Sequence, residues 1–257
     1  MSYVQTHTIA GQTASGRLGY IFPTSQQPVY ASRFSSPLDN LAESGVPAAP
    51  FLSVPAASDG EVTLGRSLPT PVAIQAPVAQ SADMTLLFVA RLPNAPVAGN
   101  EMIGVMGATF YNSASKAAWA GFSFGLGKGY AFLYLANEVN NALSTQYGGA
   151  VLTDAQAQNW GLYVARIRSS GGGGITATIQ ALTAGTQQVQ NWSGTMYAKD
   201  GETPTVMLGA DYLPLFGTKQ PIQIKRCFLW NMTLSDAEVD AMATLIRADL
   251  ATEAITV

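Results

Sequence analysis

Charge is what this sequence has least of. Of its 257 residues only 11% are Asp, Glu, Lys or Arg, against about 25% in an ordinary soluble domain. Its surface is therefore built from Ser, Thr, Gln, Asn, Gly and Ala. With 13 Lys plus Arg against 16 Asp plus Glu, net charge −3, the chain lacks the basic surface that neutralises phosphates, which excludes a nucleic-acid binder. Charge-driven disorder is excluded as well, because 47% hydrophobic residues are enough to bury a core and offset the ordering entropy.

Cysteine and histidine are nearly missing. A single Cys227 forbids an internal disulfide, and its place in an apolar, strand-like run predicts a buried, inert thiol. His7 alone leaves no histidine-based metal cluster or catalytic triad. Long apolar runs are absent too. The longest, Met84 to Ala90, falls far short of the roughly 20 residues that cross a bilayer, so no membrane insertion is expected. The first residues have neither the basic nor the apolar region of a secretory signal. Synthesis and assembly in a cytoplasm are the expectation.

Proline, by contrast, is concentrated. Nine of the 14 prolines lie at positions 23, 28, 37, 47, 50, 55, 69, 71 and 77, which rules out a long helix or a central strand there. Tyr20, Phe22, Tyr30, Phe34, Phe51 and other apolar residues recur between them, too many for a solvated linker. Residues 1–75 therefore read as an extended arm that orders by lying on its own domain or on a neighbouring subunit. From 76 to 257 the texture is that of short β runs: Met84 to Leu92, Glu101 to Thr109, Trp119 to Leu126, Tyr130 to Ala136, Asn159 to Arg168, Ile175 to Leu182, Thr186 to Trp192, Thr205 to Leu208 and Pro221 to Asn231. This spacing, with no helical pattern between, predicts an all-β antiparallel sandwich or jelly roll. Trp160, Leu162, Val164 and Arg166 share one face, and Ile222, Ile224, Arg226 and Phe228 share another. One C-terminal helix is expected. Ser235 and Glu238 form a capping box, Leu234 and Val239 a hydrophobic staple, and Val239, Met242, Ile246 and Leu250 a buried stripe, leaving Asp240, Arg247 and Asp249 to face water.

The order of these blocks resembles the laminin G-like and pentraxin-like branch of the concanavalin A-like lectin/glucanase superfamily. The blocks are Trp160-Gly-Leu-Tyr-Val-Ala-Arg, Thr176 to Leu182 with a turn at Gly185, Val206-Met-Leu-Gly209, and Ile224-Lys-Arg-Cys-Phe-Leu-Trp-Asn231 followed by Thr233-Leu-Ser-Asp-Ala-Glu238. The resemblance covers residues 72 to 257 and implies a lectin-like jelly roll. Departures accompany it. Lys225 stands where the family has an acid, and Ile179-Gln-Ala-Leu-Thr-Ala-Gly replaces its Tyr-Val-Asp-Gly hairpin. The nearest acidic cluster, Asp200, Glu202 and Asp211, is a weak calcium candidate against the six to eight oxygens that calcium takes.

The resemblance also raises glucan cleavage, which wants two carboxylates about 5 Å apart for retention. The family's Glu-x-Asp-x-x-Glu strand is missing, so a non-enzyme is expected, with Glu202 the first carboxylate to change if turnover were found. Gly125-Leu-Gly-Lys-Gly129 has the wrong spacing for a phosphate loop and reads as a hairpin turn, and the sequons at Asn191 and Asn231 read as chance. Carbohydrate binding rests on aromatic rings on which sugar faces stack. Trp119, Tyr130, Tyr147, Trp192, Tyr197 and Tyr212 lie at strand ends or in loops and are the candidates; Trp160 and Trp230 are assigned to the core. A Pro-punctuated arm on a charge-poor sandwich is also how tailed-phage virion proteins look. The expected role is a virion structural protein, in a tail or baseplate contacting host glycans, with capsid decoration or a cellular carbohydrate-binding module as alternatives. Its expected partners are copies of itself, a trimer first, and other virion proteins.

Overall fold

The computed structural model describes residues 22–42, 45–51, 53–65, 68, 71–96, 102–107, 110–111, 119–139, 142–196, 205–209 and 220–257. They form two antiparallel sheets packed as a β-sandwich, the architecture the strand spacing predicts. One sheet carries a helix and has eight strands. In spatial order it runs β14 (Thr186–Ser193), β13 (Gly174–Ala181), β12 (Gly161–Ser170), β6 (Met84–Arg91), β17 (Ile222–Trp230), β4 (Glu61–Leu64) and β3 (Ala57–Ser58), with β1 (Tyr30–Ser32) also on β17. The opposite, nine-stranded sheet runs β11 (Ala142–Val151), β10 (Tyr130–Val139), β9 (Trp119–Gly127), β7 (Met102–Gly107), β16 (Thr205–Leu208), β5 (Ala73–Ala79) and β2 (Ala49–Phe51). Short β15 (Thr195–Met196) pairs with β10 and β8 (Phe110–Tyr111) with β9. A five-residue helix α1 (Asp154–Gln158) and the C-terminal α2 (Asp236–Ala251) complete the described elements.

Two hydrophobic layers explain the sequence pattern. Between the sheets lie Phe88, Phe124, Leu133, Tyr163, Ile179, Cys227 and Leu229. On the outer face of the eight-stranded sheet, Leu87, Val89, Leu162, Val164, Phe228 and Trp230 receive Val239, Met242, Ile246 and Leu250 of α2. Strand β6 is therefore buried on both faces, which is why Met84 to Ala90 reads as one apolar run instead of alternating. Cys227 is fully buried, and desolvation pushes its thiol far above the ordinary value, as expected of an inert core residue. Among the described residues no helix is long and apolar enough to cross a membrane.

Helix α2 begins where its caps predict. Ser235 accepts from the Glu238 amide, and the Glu238 carboxylate accepts from the Ser235 amide and hydroxyl. The staple residues Leu234 and Val239 are both buried. Glycine shapes the β9–β10 hairpin: Gly129, at φ +84°, follows Lys128 in a two-residue turn that brings Gly127 opposite Tyr130.

Three expectations are corrected. The boundary between residues 75 and 76 falls inside β5, and β1 and β4 pair in register with β17, so Tyr30, Phe34, Val62 and Leu64 belong to the sandwich core. The described part of the arm orders on its own domain, one of the two surfaces expected for it, and does so as strand and core. The second correction concerns β17. A bulge between Ile224 and Arg226 inserts a residue, so Ile222 and Ile224 face the sandwich interior but Cys227 and Leu229 do so further on, and Phe228 turns to the helix. The single face expected for Ile222, Ile224, Arg226 and Phe228 does not exist. The third is Asp249, which does not face water: it pairs with Arg226 at 2.7 Å and with Arg33 at 2.8 Å. Strand β11 was not foreseen, since Gly148-Gly149 interrupts an otherwise polar run.

Candidate glycan-binding face

The strands β9, β10 and β11 form a meander at one edge of the nine-stranded sheet. Period-two alternation sends Phe122, Phe124, Leu126, Leu133, Leu135 and Ala150 into the core. The opposite parity puts Tyr130, Phe132 and Tyr134 on the outer face of β10. Their direct neighbours there are Val151, Gly149 and Tyr147 on β11. On the β9 side they are Gly127, Gly125 and Ser123. Small residues thus flank the rings and let them lie along the sheet.

Gly149 makes room for this arrangement. A Cβ at that position would lie 3.1 Å from Cβ and 3.3 Å from Cγ of Tyr130, and 3.1 Å from the Ala131 carbonyl oxygen. Gly148, of inward parity, does the same for the sandwich seam, where a Cβ would stand 2.8 Å from Cγ of Gln190. The seam is closed by side chains: Gln188 accepts from the Gly149 amide, and the Thr186 hydroxyl donates to the Val151 carbonyl at 2.7 Å.

The rings meet. Tyr147 stacks on Phe132 with centroids 6.3 Å apart and planes 24° from parallel. Phe132 is buried, whereas Tyr130 is 42%, Tyr147 48% and Val151 59% exposed. Of the large apolar side chains exposed among the described residues, these three sit together, and the others, Val46, Val54 and Val189, lie on different elements. Partial burial raises the Tyr147 phenol above its ordinary value, and the adjacent Tyr130 raises it further. Burial raises Tyr134 in the same way, partly offset by a hydrogen bond with Thr145. The result is an apolar ledge of half-exposed rings edged by neutral phenol groups that donate and accept. That combination suits the C–H face and the hydroxyls of a sugar.

The sequence candidates divide against this geometry. Tyr130 and Tyr147 are brought together. Trp192 is not part of the face: its parity on β14 is inward, opposite Ile175, and it is buried in the core at 9% exposure. Trp119 begins β9, paired with Tyr111, and its side chain is outside the described residues. Tyr197 and Tyr212 lie outside the described residues, as do the calcium candidates Asp200, Glu202 and Asp211. Among the described residues no group of three or more His, Cys, Asp or Glu could hold a metal ion. Trp230 is core, as assigned. Trp160 is half-buried and lies under Arg91, whose guanidinium is 4.5 Å from the ring centroid. Phe132 and Tyr134 were missed; the i, i+2, i+4 aromatic repeat from Tyr130 is the signal that marks them.

A cleft of 720 Å³ opens on the other side of the molecule, on the outer face of the eight-stranded sheet beside the start of α2. Its lining includes Arg166, Arg168, Thr176, Thr178, Gln187 and Val189.

No known protein family and no curated protein matches this sequence. Solved structures do match in fold. The binding domain of botulinum neurotoxin serotype D superposes with a TM-score of 0.53 at 12% identity, covering 86% of this chain and 51% of that one. The serotype G binding domain gives 0.55 at 10% identity over 86% and 51%. The binding domain of botulinum neurotoxin DC in complex with SialylT gives 0.55 at 12% over 84% and 50%. This chain spans about half the length of those it matches, and at such identities the likeness establishes the fold: a lectin-like β-sandwich of the kind found in those binding domains.

Proposed function

We propose that this chain is a non-enzymatic glycan-binding domain that receives a sugar face on the ledge of Tyr130 and Tyr147. The observation that carries the reading is the grouping of Tyr130, Tyr147 and Val151, half exposed, on one patch, whereas the other large apolar side chains exposed among the described residues stand apart from it. Two of the structures with this fold add support: one is a toxin binding domain in complex with SialylT, another comes from a toxin, type C, whose cell entry depends on interaction with two ganglioside molecules. The first is a binding domain, in keeping with a chain that recognises its ligand without transforming it.

A glycan array probed with the full chain tests the reading. Tyr147→Ala and Tyr130→Ala should each weaken the retained glycans by roughly tenfold, the effect of losing a central aromatic contact, while circular dichroism stays unchanged. Array binding that survives the double substitution would remove the ledge from the site.

The setting we propose is a phage particle, in which copies of the chain assemble as a closed oligomer, a trimer first, and hold this face toward a host surface. The sparse charge supports it, because a surface with few ions costs little to desolvate against a neighbour. Electron microscopy of material purified from infected cells tests it: the chain found free and monomeric, with none in particles, refutes the setting and leaves the ledge reading intact.

A further inference from the structure

Helix α2 covers only part of the outer face of the eight-stranded sheet, over β6, β12 and β17. Beyond its N-terminus no described element covers the sheet, and the step between helix and open sheet is the 720 Å³ cleft. Its floor is a set of cross-strand rungs fixed by register. Arg166, Thr178 and Val189 form one, and Arg168 and Thr176 lead to Asn191 in the next. The wall is the connection from β17 and the first turn of α2.

The charges of this cleft are engaged internally, with one exception. Arg166, nine-tenths buried, donates to Asp236 at 2.6 Å and to the Leu234 carbonyl at 3.1 Å. The Glu238 carboxylate accepts from the amides of Ser25 and Ser235, and Asp83 accepts from the Ser169 amide at 2.7 Å. Elsewhere in the described residues, Arg33, Arg91, Arg226 and Arg247 all have internal acceptors. Arg168 alone among the described arginines has no hydrogen bond or ion pair, and it stands exposed in the cleft. Beside it are neutral donors and acceptors, Thr176, Thr178 and Gln187, and one apolar contact, half-exposed Val189.

We infer that this cleft is a second binding site, for a saccharide unit bearing a single carboxylate: the carboxylate pairs with Arg168, the hydroxyls reach Thr176, Thr178 and Gln187, and the ring rests on Val189. A guanidinium matches a carboxylate with two parallel hydrogen bonds. Polyanionic sugars do not fit, because Asp83, Asp236 and Glu238 also line the cleft in which Arg168 is the one unpaired cation. The site lies on the opposite sheet from the tyrosine ledge. It deepens the glycan reading by naming the acidic sugar as ligand class, yet stands on its own residues.

The test uses the full chain and a panel of immobilised glycans, each present with and without a terminal N-acetylneuraminate or glucuronate, together with a heparin-like sulfated chain. Glycans with the carboxylate cap should bind roughly tenfold or more tightly than the uncapped ones, the scale of a charge-assisted pair, and the difference should shrink with added salt. Arg168→Gln should erase the preference and Arg168→Lys retain part of it. Since Arg168 is exposed, both variants should fold as the parent does. The preference should persist in the Tyr130→Ala, Tyr147→Ala double variant. No preference for the cap, preference unaffected by Arg168→Gln, or tightest binding to the sulfated chain each overturns the inference. Loss of binding only in the tyrosine variants overturns the cleft and keeps the ledge; loss only in Arg168→Gln does the reverse.

Discussion

Replacing Arg226 by alanine gives the most quantitative check on how this sandwich holds its helix. The side chain is fully buried, yet it carries a charge in a protein that has few. Its Nε donates to Asp249 at 2.7 Å, one terminal nitrogen donates to the Lys225 carbonyl at 2.8 Å, and the other meets Glu253. Asp249 and Glu253 are not left alone by the substitution. Arg33 remains on Asp249 at 2.8 Å and Lys225 on Glu253 at 3.1 Å. Removing one partner of a buried pair costs about 3–5 kcal/mol because the other charge stays desolvated. With a second cation beside each acid the loss should sit at the low end, about 3 kcal/mol. Urea unfolding followed by tryptophan fluorescence measures it, since Trp230 packs in the layer beneath α2. In a double-mutant cycle with Asp249→Ala the coupling should exceed about 0.5 kcal/mol. A loss below 1 kcal/mol (about the value of an exposed pair) would refute the argument, showing that the network only breaks even against solvent.

Two more outcomes follow from burial and capping. Trp192→Ala should cost about 3–5 kcal/mol by opening a cavity in the core and leave glycan affinity unchanged in whatever fraction stays folded; affinity that falls without loss of stability would return Trp192 to the binding face. For the Glu238 carboxyl, burial alone would raise its pKa, but hydrogen bonds from Ser25 and Ser235 bring it down to about 2, below an ordinary 4.5. A depressed carboxyl contributes stability above its unfolded value and loses it as pH falls through the folded one. The stability gap between the parent chain and Glu238→Gln should therefore be constant near neutrality and close between pH 4.5 and 2; a gap unchanged across that window contradicts the cap geometry.

Most of the sandwich was legible because its signals are local. Alternation marked β12, short β-type runs between turn residues marked β13 and β14, and the capping box at Ser235 and Glu238 placed the start of α2. What escaped depends on partners distant in sequence. Tyr30–Ser32 is three residues long and is a strand only because β17 offers a free flank; the prolines on either side predict an extended segment lying on its own domain or a neighbour, without pointing to β17. The bulge at Ile224 and Arg226 is invisible to periodicity, since it is a mismatch between two strands and not a property of one. Its effect is large. By inserting Lys225 as an extra residue in the strand it turns Arg226 toward Asp249 on α2 and Glu253 just beyond the helix end, so Asp249, which a helical wheel places in water, becomes an internal ligand of the helix-to-sheet contact.

The site was legible to the same degree and for the same reason. That Tyr130 and Trp192 occur near strand ends can be read from the chain, whereas Tyr147 sits in the middle of the unforeseen β11; which of them reaches solvent is decided by parity against a core that the chain does not display. Trp192 shares inward parity with Gln188 and Gln190, so its own strand gives no apolar alternation to reveal it. The cleft had a readable signal that went unused. Arg166 and Arg168 are two residues apart in a strand and must share a face, and Leu162 and Val164 on that face lie under the helix that Ser235 starts. A face that is apolar under a helix and then basic just past its end is a face that leaves cover. In a chain with 13 cations, internal pairing uses up the described arginines one by one, and sparse charge gives the remaining Arg168 its meaning: on a surface built from Ser, Thr, Gln and Asn, one unpaired guanidinium is a choice of ligand.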